Sequence, residues 1–241
     1  MKTVIVTGAS GAIGSACCRR FLKEGYNVTA CYLSNETGAK ELASYATRSE
    51  IMCVKADISD SHDIKKIFDI TIEKFGSVDI VVNNAAISVQ GLIQDITPEE
   101  LSGVININIR GTFLMCSNAI GHMVKSQSGS IVNISSMWGE TGASCEVAYS
   151  MSKAAVIGLT KALAKEVGPS GIRVNCVSPG LIDTKMNSCY TKEELDAICE
   201  ETPLMRMGTP EDIANAVYYL SSGESSFITG QIIGVNGGYV I

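Results

Sequence analysis

Seven short runs rich in Val and Ile, separated by longer stretches of helical period, limit the architectures open to this chain. They read VIVT near residue 4, NVTACY near 27, IMCVKA near 51, DIVVNNA near 79, SIVNIS near 130, IRVNCVS near 172 and QIIGVNGG near 231. Continuous β-branched runs belong to strands buried on both faces, as in a parallel sheet covered by helices. The intervening segments carry helix chemistry: Asp60 starts one such stretch, and Thr97-Pro98-Glu99-Glu100 supplies a cap, a first-turn proline and acids. The pattern predicts an α/β, doubly wound fold, a seven-stranded parallel sheet flanked by helices and joined by right-handed crossovers. At 241 residues the chain suits one domain spanning 1–241. Its longest irregular stretch, about 181–207, lies before the Thr209-Pro210-Glu211 helix start and is expected to form a substrate lid.

Charge and cysteine usage narrow the function classes. A formal charge of −6 is the wrong sign for a nucleic-acid binder, which needs a basic footprint. No apolar run approaches the ~20 residues needed to span a bilayer. Nine cysteines would suggest disulfides in a short secreted chain, but Met1 and Lys2 lead straight into a β-like run without an export signal, so a cytoplasmic location is expected. No C-x-x-C pair occurs and His62 and His122 lie far from the cysteines, so no metal site is expected. The thiols in runs such as VTACY and VNCVS read as small core hydrophobes.

Directly after the first run comes Thr7-Gly8-Ala9-Ser10-Gly11-Ala12-Ile13-Gly14, opening a helix. Glycines there let the backbone approach a pyrophosphate, and free N–H groups at a helix start meet its negative charge. The second run ends Tyr32-Leu33-Ser34-Asn35, with no carboxylate to repel a 2′-phosphate and two side chains able to donate to one, so NADP(H) is favoured over NAD(H). Asp57 suits either a turn cap or an adenine contact.

Tyr149 and Lys153 stand at i and i+4, on one face of a helix. An ammonium beside a phenol is expected to lower its pKa from about 10 and make it a usable acid and base. Ser136, at the end of SIVNISS, can polarise the same carbonyl oxygen, and Asn83-Asn84-Ala85-Ala86 ends another strand where ligands of open α/β sheets bind.

TGASGAIG, NNAA, VNISS, YSMSK and SPG together resemble the landmarks of the short-chain dehydrogenase/reductase family, over essentially the whole chain. The resemblance implies a Rossmann fold and hydride transfer between a nicotinamide dinucleotide and a carbonyl carbon. It makes Asn108, Ser136, Tyr149 and Lys153 a catalytic tetrad, with Asn108 holding a water that relays protons to Lys153, and Lys153 also binding the nicotinamide ribose. Cofactor contacts are then implied at Gly8, Ser10, Gly11, Ile13 and Gly14, at Ser34 and Asn35, at Asp57 and Ile58 beside the adenine, at Asn84 and Ala85, and at Pro179, Gly180, Ile182 and Thr184 beside the carboxamide. Ala86 replaces a glycine of the family pattern and narrows the site by one methyl. A catalytically silent nucleotide sensor would lack some tetrad member, and none is missing.

Within the family, the general likeness is to 3-oxoacyl-acyl-carrier-protein reductases, which implies a small-molecule or carrier-bound carbonyl substrate and a homotetramer built on the helices at Pro98 to Lys125 and Tyr149 to Gly168. Carrier docking in that group uses arginines where Ser130 and Ser170 stand here. The stretch from Ser136 to Val147 is also similar to a reductase group acting on a 5-aminopentanone carried by a lysine of elongation factor P. A sugar or steroid alcohol dehydrogenase is a further alternative. Glu146, one turn before Tyr149, is expected either near the substrate entrance, where it would favour a cationic amine, or as a solvated acid at the helix start.

Overall fold

The structure, a computed structural model, describes residues 1–46, 49–185 and 190–241. The seven expected runs form strands β1 (Thr3–Val6), β2 (Asn27–Tyr32), β3 (Ile51–Lys55), β4 (Ile80–Asn83), β5 (Gly129–Ile134), β6 (Ile172–Pro179) and β7 (Ile232–Val235). They make one parallel sheet in the order β3-β2-β1-β4-β5-β6-β7. The chain winds outward from β1 to β3, then returns to place β4 on the other side of β1, with Val4 in register with Val28 and Ile80. That reversal opens a crevice at the carboxyl ends of β1 and β4, where doubly wound sheets bind ligands.

Alternation along each strand divides the core in two. Val4, Val6, Val28, Ala30, Val82 and Val132 face Cys17, Phe21 and Leu22 of α1 (Ala12–Lys23) and Ile213, Val217 and Leu220 of the helix Pro210–Ser221. Ile5, Val81, Ile131 and Val174 face the opposite layer, built on Ile64, Ile67, Phe68, Met115 and Met123. Cys17, Cys18, Cys31, Cys116 and Cys176 are buried, and burial raises every one of their pKa values, so these thiols pack as neutral apolar groups. Cys145 is exposed, and Cys189 lies outside the described residues.

Helix starts follow the caps read from sequence. Asp60 accepts from His62 N at 2.7 Å to begin α3 (Ser61–Phe75), following α2 (Glu36–Glu41). Thr97 and Glu100 close a capping box on α4 (Pro98–Val104). The one long helix expected after Pro98 runs unbroken to Ser126, as α4, a π-helical segment at Ile105–Gly111 that holds Asn108, and α5 (Thr112–Ser126). A Cβ on Gly111 would lie 2.8 Å from the Ile58 carbonyl oxygen, so glycine lets this helix pass close to Ile58. Two helices, α6 (Met137–Thr141) and α7 (Val147–Val167), follow β5.

The stretch 181–207 is not irregular throughout. It contains α8 (Lys192–Glu201), begun by a capping box of Thr191 and Glu194, and is followed by α9 (Pro210–Ser221). The expected lid thus has a helix at its centre, and 186–189 within it lie outside the described residues. No described helix is long and apolar enough to cross a membrane.

Candidate active site

The loop between β1 and α1 is held by the end of β4. Thr7 Oγ1 accepts from Asn84 N and Ala85 N, both at 3.0 Å, while Asn84 Nδ2 donates to the carbonyls of Thr7 and Gly8. Gly8 takes a φ of +64°, and a Cβ on it would meet Asn84 Nδ2 at 2.9 Å. A Cβ on Gly14 would sit 2.2 Å from the Gly8 carbonyl oxygen. Gly11 caps α1 with no side-chain hydrogen bond, and no acid stands in that helix's first turn. The N–H groups there have no intrahelical partner by construction, so the loop fits a pyrophosphate. Gly14→Ala is expected to destabilise the fold by about 1–3 kcal/mol, because the clash is with backbone. Thermal melting and nucleotide fluorescence check it, with Gly223→Ala, where a Cβ meets nothing within 4 Å and which lies outside the helices proposed for subunit contact, as the harmless control.

Beyond β2, Ser34 and Asn35 are exposed. Asn35 is already engaged: its Oδ1 accepts from Gly38 N at 3.0 Å to cap α2, and its Nδ2 donates to the Ser10 carbonyl at 3.4 Å. Ser34 is therefore the freer donor of the pair. Glu36, the first acid after them, pairs with Lys40 Nζ at 2.6 Å. Asp57 Oδ1 accepts from Ser59 N at 2.8 Å, the turn-capping role, and Ile58 is buried in the core beneath Gly111.

At the carboxyl ends of β4, β5 and β6 lies a cavity of about 400 Å³ lined by Ile13, Asn84, Ser136, Tyr149 and Lys153, by Pro179, Gly180, Ile182 and Thr184, and by Ala86. Four segments far apart in sequence therefore meet at one space of ligand size. Ser136 caps α6 by accepting from Trp138 N at 3.2 Å, and its hydroxyl faces the same cavity as the Tyr149 phenol. Lys153 is 3% exposed; Nζ donates to the Ile134 carbonyl at 2.8 Å and lies 5.5 Å from the Tyr149 ring centroid. Asn108 stands one layer back, its amide clamped on both backbone groups of Ile87 and on Ser152 Oγ at 2.9 Å.

The electrostatics differ from the simple expectation of a phenol acidified by its lysine. Burial raises the Tyr149 pKa, the Glu146 carboxylate raises it further, and only the Ser136 hydroxyl lowers it. Burial lowers Lys153 to about 8. The ammonium donates to the Ile134 carbonyl and lies 5.5 Å from the phenol ring centroid.

Glu146 is the residue that spacing alone leaves open, and the structure decides against the solvated reading. It is 6% exposed, makes no side-chain cap to α7, and lines the cavity. Ser88 Oγ donates to it at 2.7 Å, Gln90 Nε2 at 2.8 Å and Tyr190 OH at 3.2 Å. Ser88, Gln90 and Tyr190 carried no sequence signal, since they come from the loops after β4 and before α8. Trp138, which also lines the cavity, stacks edge-on with Tyr239 at 5.6 Å.

Fold and site together are those of an oxidoreductase, and the chain belongs to the short-chain dehydrogenase/reductase family. A family model described as enoyl-(acyl carrier protein) reductase matches residues 8–240. Among solved structures, a short-chain dehydrogenase/reductase of Serratia marcescens, in the form of a double phenylalanine-to-leucine mutant, superposes with a TM-score of 0.92 at 32% identity, covering 99% of this chain and 97% of that one. Among curated relatives, the uncharacterized oxidoreductase YmfI of Bacillus subtilis is 39% identical, over 99% of this chain and 98% of its own. The 3-oxoacyl-[acyl-carrier-protein] reductase FabG of Thermotoga maritima is 38% identical, over 100% and 98%.

Proposed function

We propose that this protein is a cytosolic, NADP(H)-dependent ketone reductase that works as one catalytic domain with a lid and assembles as a homotetramer. The observation that carries the reading is that Tyr149 and Ser136 line one cavity with Lys153, Asn84 and the Pro179–Thr184 segment. A bound nicotinamide supplies the hydride. The chain's own residues handle the oxygen: Ser136 orients and polarises the carbonyl, and Tyr149 hands it a proton. Asn108 positions the loop at Ile87 and the α7 residue Ser152, and its place in the π-helical turn suits the proposed proton relay to Lys153. The exposed Ser34 and the Glu36–Lys40 pair favour a 2′-phosphate. Exposed Ile105, Phe113 and Met151 on the α4–α5 and α7 segments suit subunit contacts there.

The substrate reading suggested by relatives is a 3-oxoacyl thioester on a carrier protein. A second reading, an aminoketone such as the one borne by elongation factor P, is favoured by charge. Ser130 is buried with its hydroxyl on the Leu220 carbonyl, and the neighbouring Arg173 is bonded to the carbonyls of Leu220 and Ser222 and to Ser225 Oγ. An acidic carrier meeting a chain of charge −6 finds no docking cation at these positions. Titrating NADPH and NADH against a panel of ketones tests the proposal: NADPH is expected to be the more efficient reductant, equal or better use of NADH removes the cofactor assignment, and no reduction of any ketone removes the activity.

A further inference from the structure

Glu146 presents an unusual combination in the cavity just described: a buried carboxylate, one helical turn before the reacting phenol, surrounded by neutral partners. Burying a carboxylate is costly unless it is paired. Among the described residues no lysine or arginine forms an ion pair with it, and the other charged side chain lining the cavity, Lys153, is turned to the Ile134 carbonyl. All three neighbours instead serve it as donors, with Gln90 and Tyr190 on Oε1 and Ser88 on Oε2. A carboxylate accepts about four hydrogen bonds, so one more donor can be taken, and the open side is the cavity.

We infer that Glu146 is the specificity-determining residue of this site and selects ketones that carry a protonated amine on the same chain as the carbonyl. The inference rests on the ketone-reductase reading and sharpens its second substrate class. A substrate ammonium completes the carboxylate's hydrogen bonding and neutralises a charge that the fold leaves unpaired. It also removes the field that holds the Tyr149 proton on, because the Glu146 charge raises that phenol's pKa. Recognition of the cation is thereby coupled to proton transfer: a neutral ketone meets a phenol reluctant to ionise, and an anionic one meets repulsion as well. Ser88, Gln90 and Tyr190 position the carboxylate, the last of them from the segment that leads into α8.

The test uses three methyl ketones of matched length, ending in a dimethylammonium group, in its isosteric isopropyl group and in a carboxylate. The tertiary amine cannot close on its own carbonyl to a stable imine. Wild-type protein with NADPH is expected to prefer the ammonium ketone over the isopropyl one in kcat/KM by roughly tenfold to a hundredfold, the range for a charge-assisted hydrogen bond in a dry site. Glu146→Gln is expected to bring that ratio close to one, and Glu146→Lys to move the preference to the carboxylate. A merely structural Glu146 would lower all three rates together and leave the ratio intact. Calorimetric binding of the ammonium-bearing alcohol product gives a second readout, expected to weaken in Glu146→Gln. A wild-type ratio near one, or a ratio unchanged in Glu146→Gln, overturns the inference while leaving the ketone-reductase reading standing; reduction of none of the three by wild type overturns both.

Discussion

Tyr149→Phe is expected to lower kcat for ketone reduction about 10²- to 10⁴-fold, the contribution typical of a positioned proton donor, while nucleotide affinity stays near the wild-type value. The substitution removes one oxygen and leaves the ring in the cavity wall beside Lys153. Ser136 keeps its hydrogen bond from Trp138 N, so the end of β5 stays in place. The effect therefore falls on the chemical step. Steady-state kinetics beside nucleotide binding by fluorescence checks it; a variant within a few-fold of wild type in kcat contradicts the assignment of Tyr149.

Lys153→Met is the second large effect, expected both in activity and in how stability depends on pH. Activity should fall at least about 10²-fold, since the ammonium that supports proton transfer is gone. The stability effect has a definite sign. Burial lowers the folded-state pKa of Lys153 to about 8 from the ordinary lysine value of 10.5, so below about 8 the fold carries a buried ammonium and its full cost. Between those two values the unfolded chain binds more protons at this position than the folded one, and stability from this group rises with pH. Methionine has no such dependence. Wild type should thus gain on Lys153→Met as pH is raised from 7 toward 10.5, by thermal or denaturant unfolding. A constant difference across that window would mean that the ammonium is not buried as described. The Ile134 carbonyl, left without its donor in the variant, adds a pH-independent offset of about 1 kcal/mol in favour of wild type.

What was legible in the sequence was carried by side-chain pattern. Val and Ile runs marked β1, β4, β5 and β6 because both faces of these strands are buried, and marked the partly exposed edge strands β3 and β7 by their β-branched residues, while the caps at Asp60, Thr97 and Thr209 marked helix starts because side-chain oxygens meet free N–H groups there. The loop at Gly8 and the meeting of Ser136 with Tyr149 followed from where strands end. What was not legible depended on backbone geometry or on contacts between distant loops. The π-helical segment at Asn108, and the close approach of Gly111 to the Ile58 carbonyl, are announced by no local composition. The helix α8 had a signal, the Thr191–Glu194 capping box, that a reading for length of loop passed over. The direction of the Lys153 ammonium and the burial of Glu146 were set by Ile134, Ser88, Gln90 and Tyr190, residues brought in by other segments.

The central claim is that carbonyl reduction happens in the cavity bounded by Tyr149 and Ser136. Nicotinamide cofactor deuterated at the transferring position, incubated with a ketone and either wild-type protein or Tyr149→Phe, tests it most directly. Deuterium on the carbinol carbon of the alcohol, formed rapidly by wild type and slowed by orders of magnitude in the variant, is the predicted result; alcohol without the label, or labelled alcohol formed equally fast by both proteins, would contradict it.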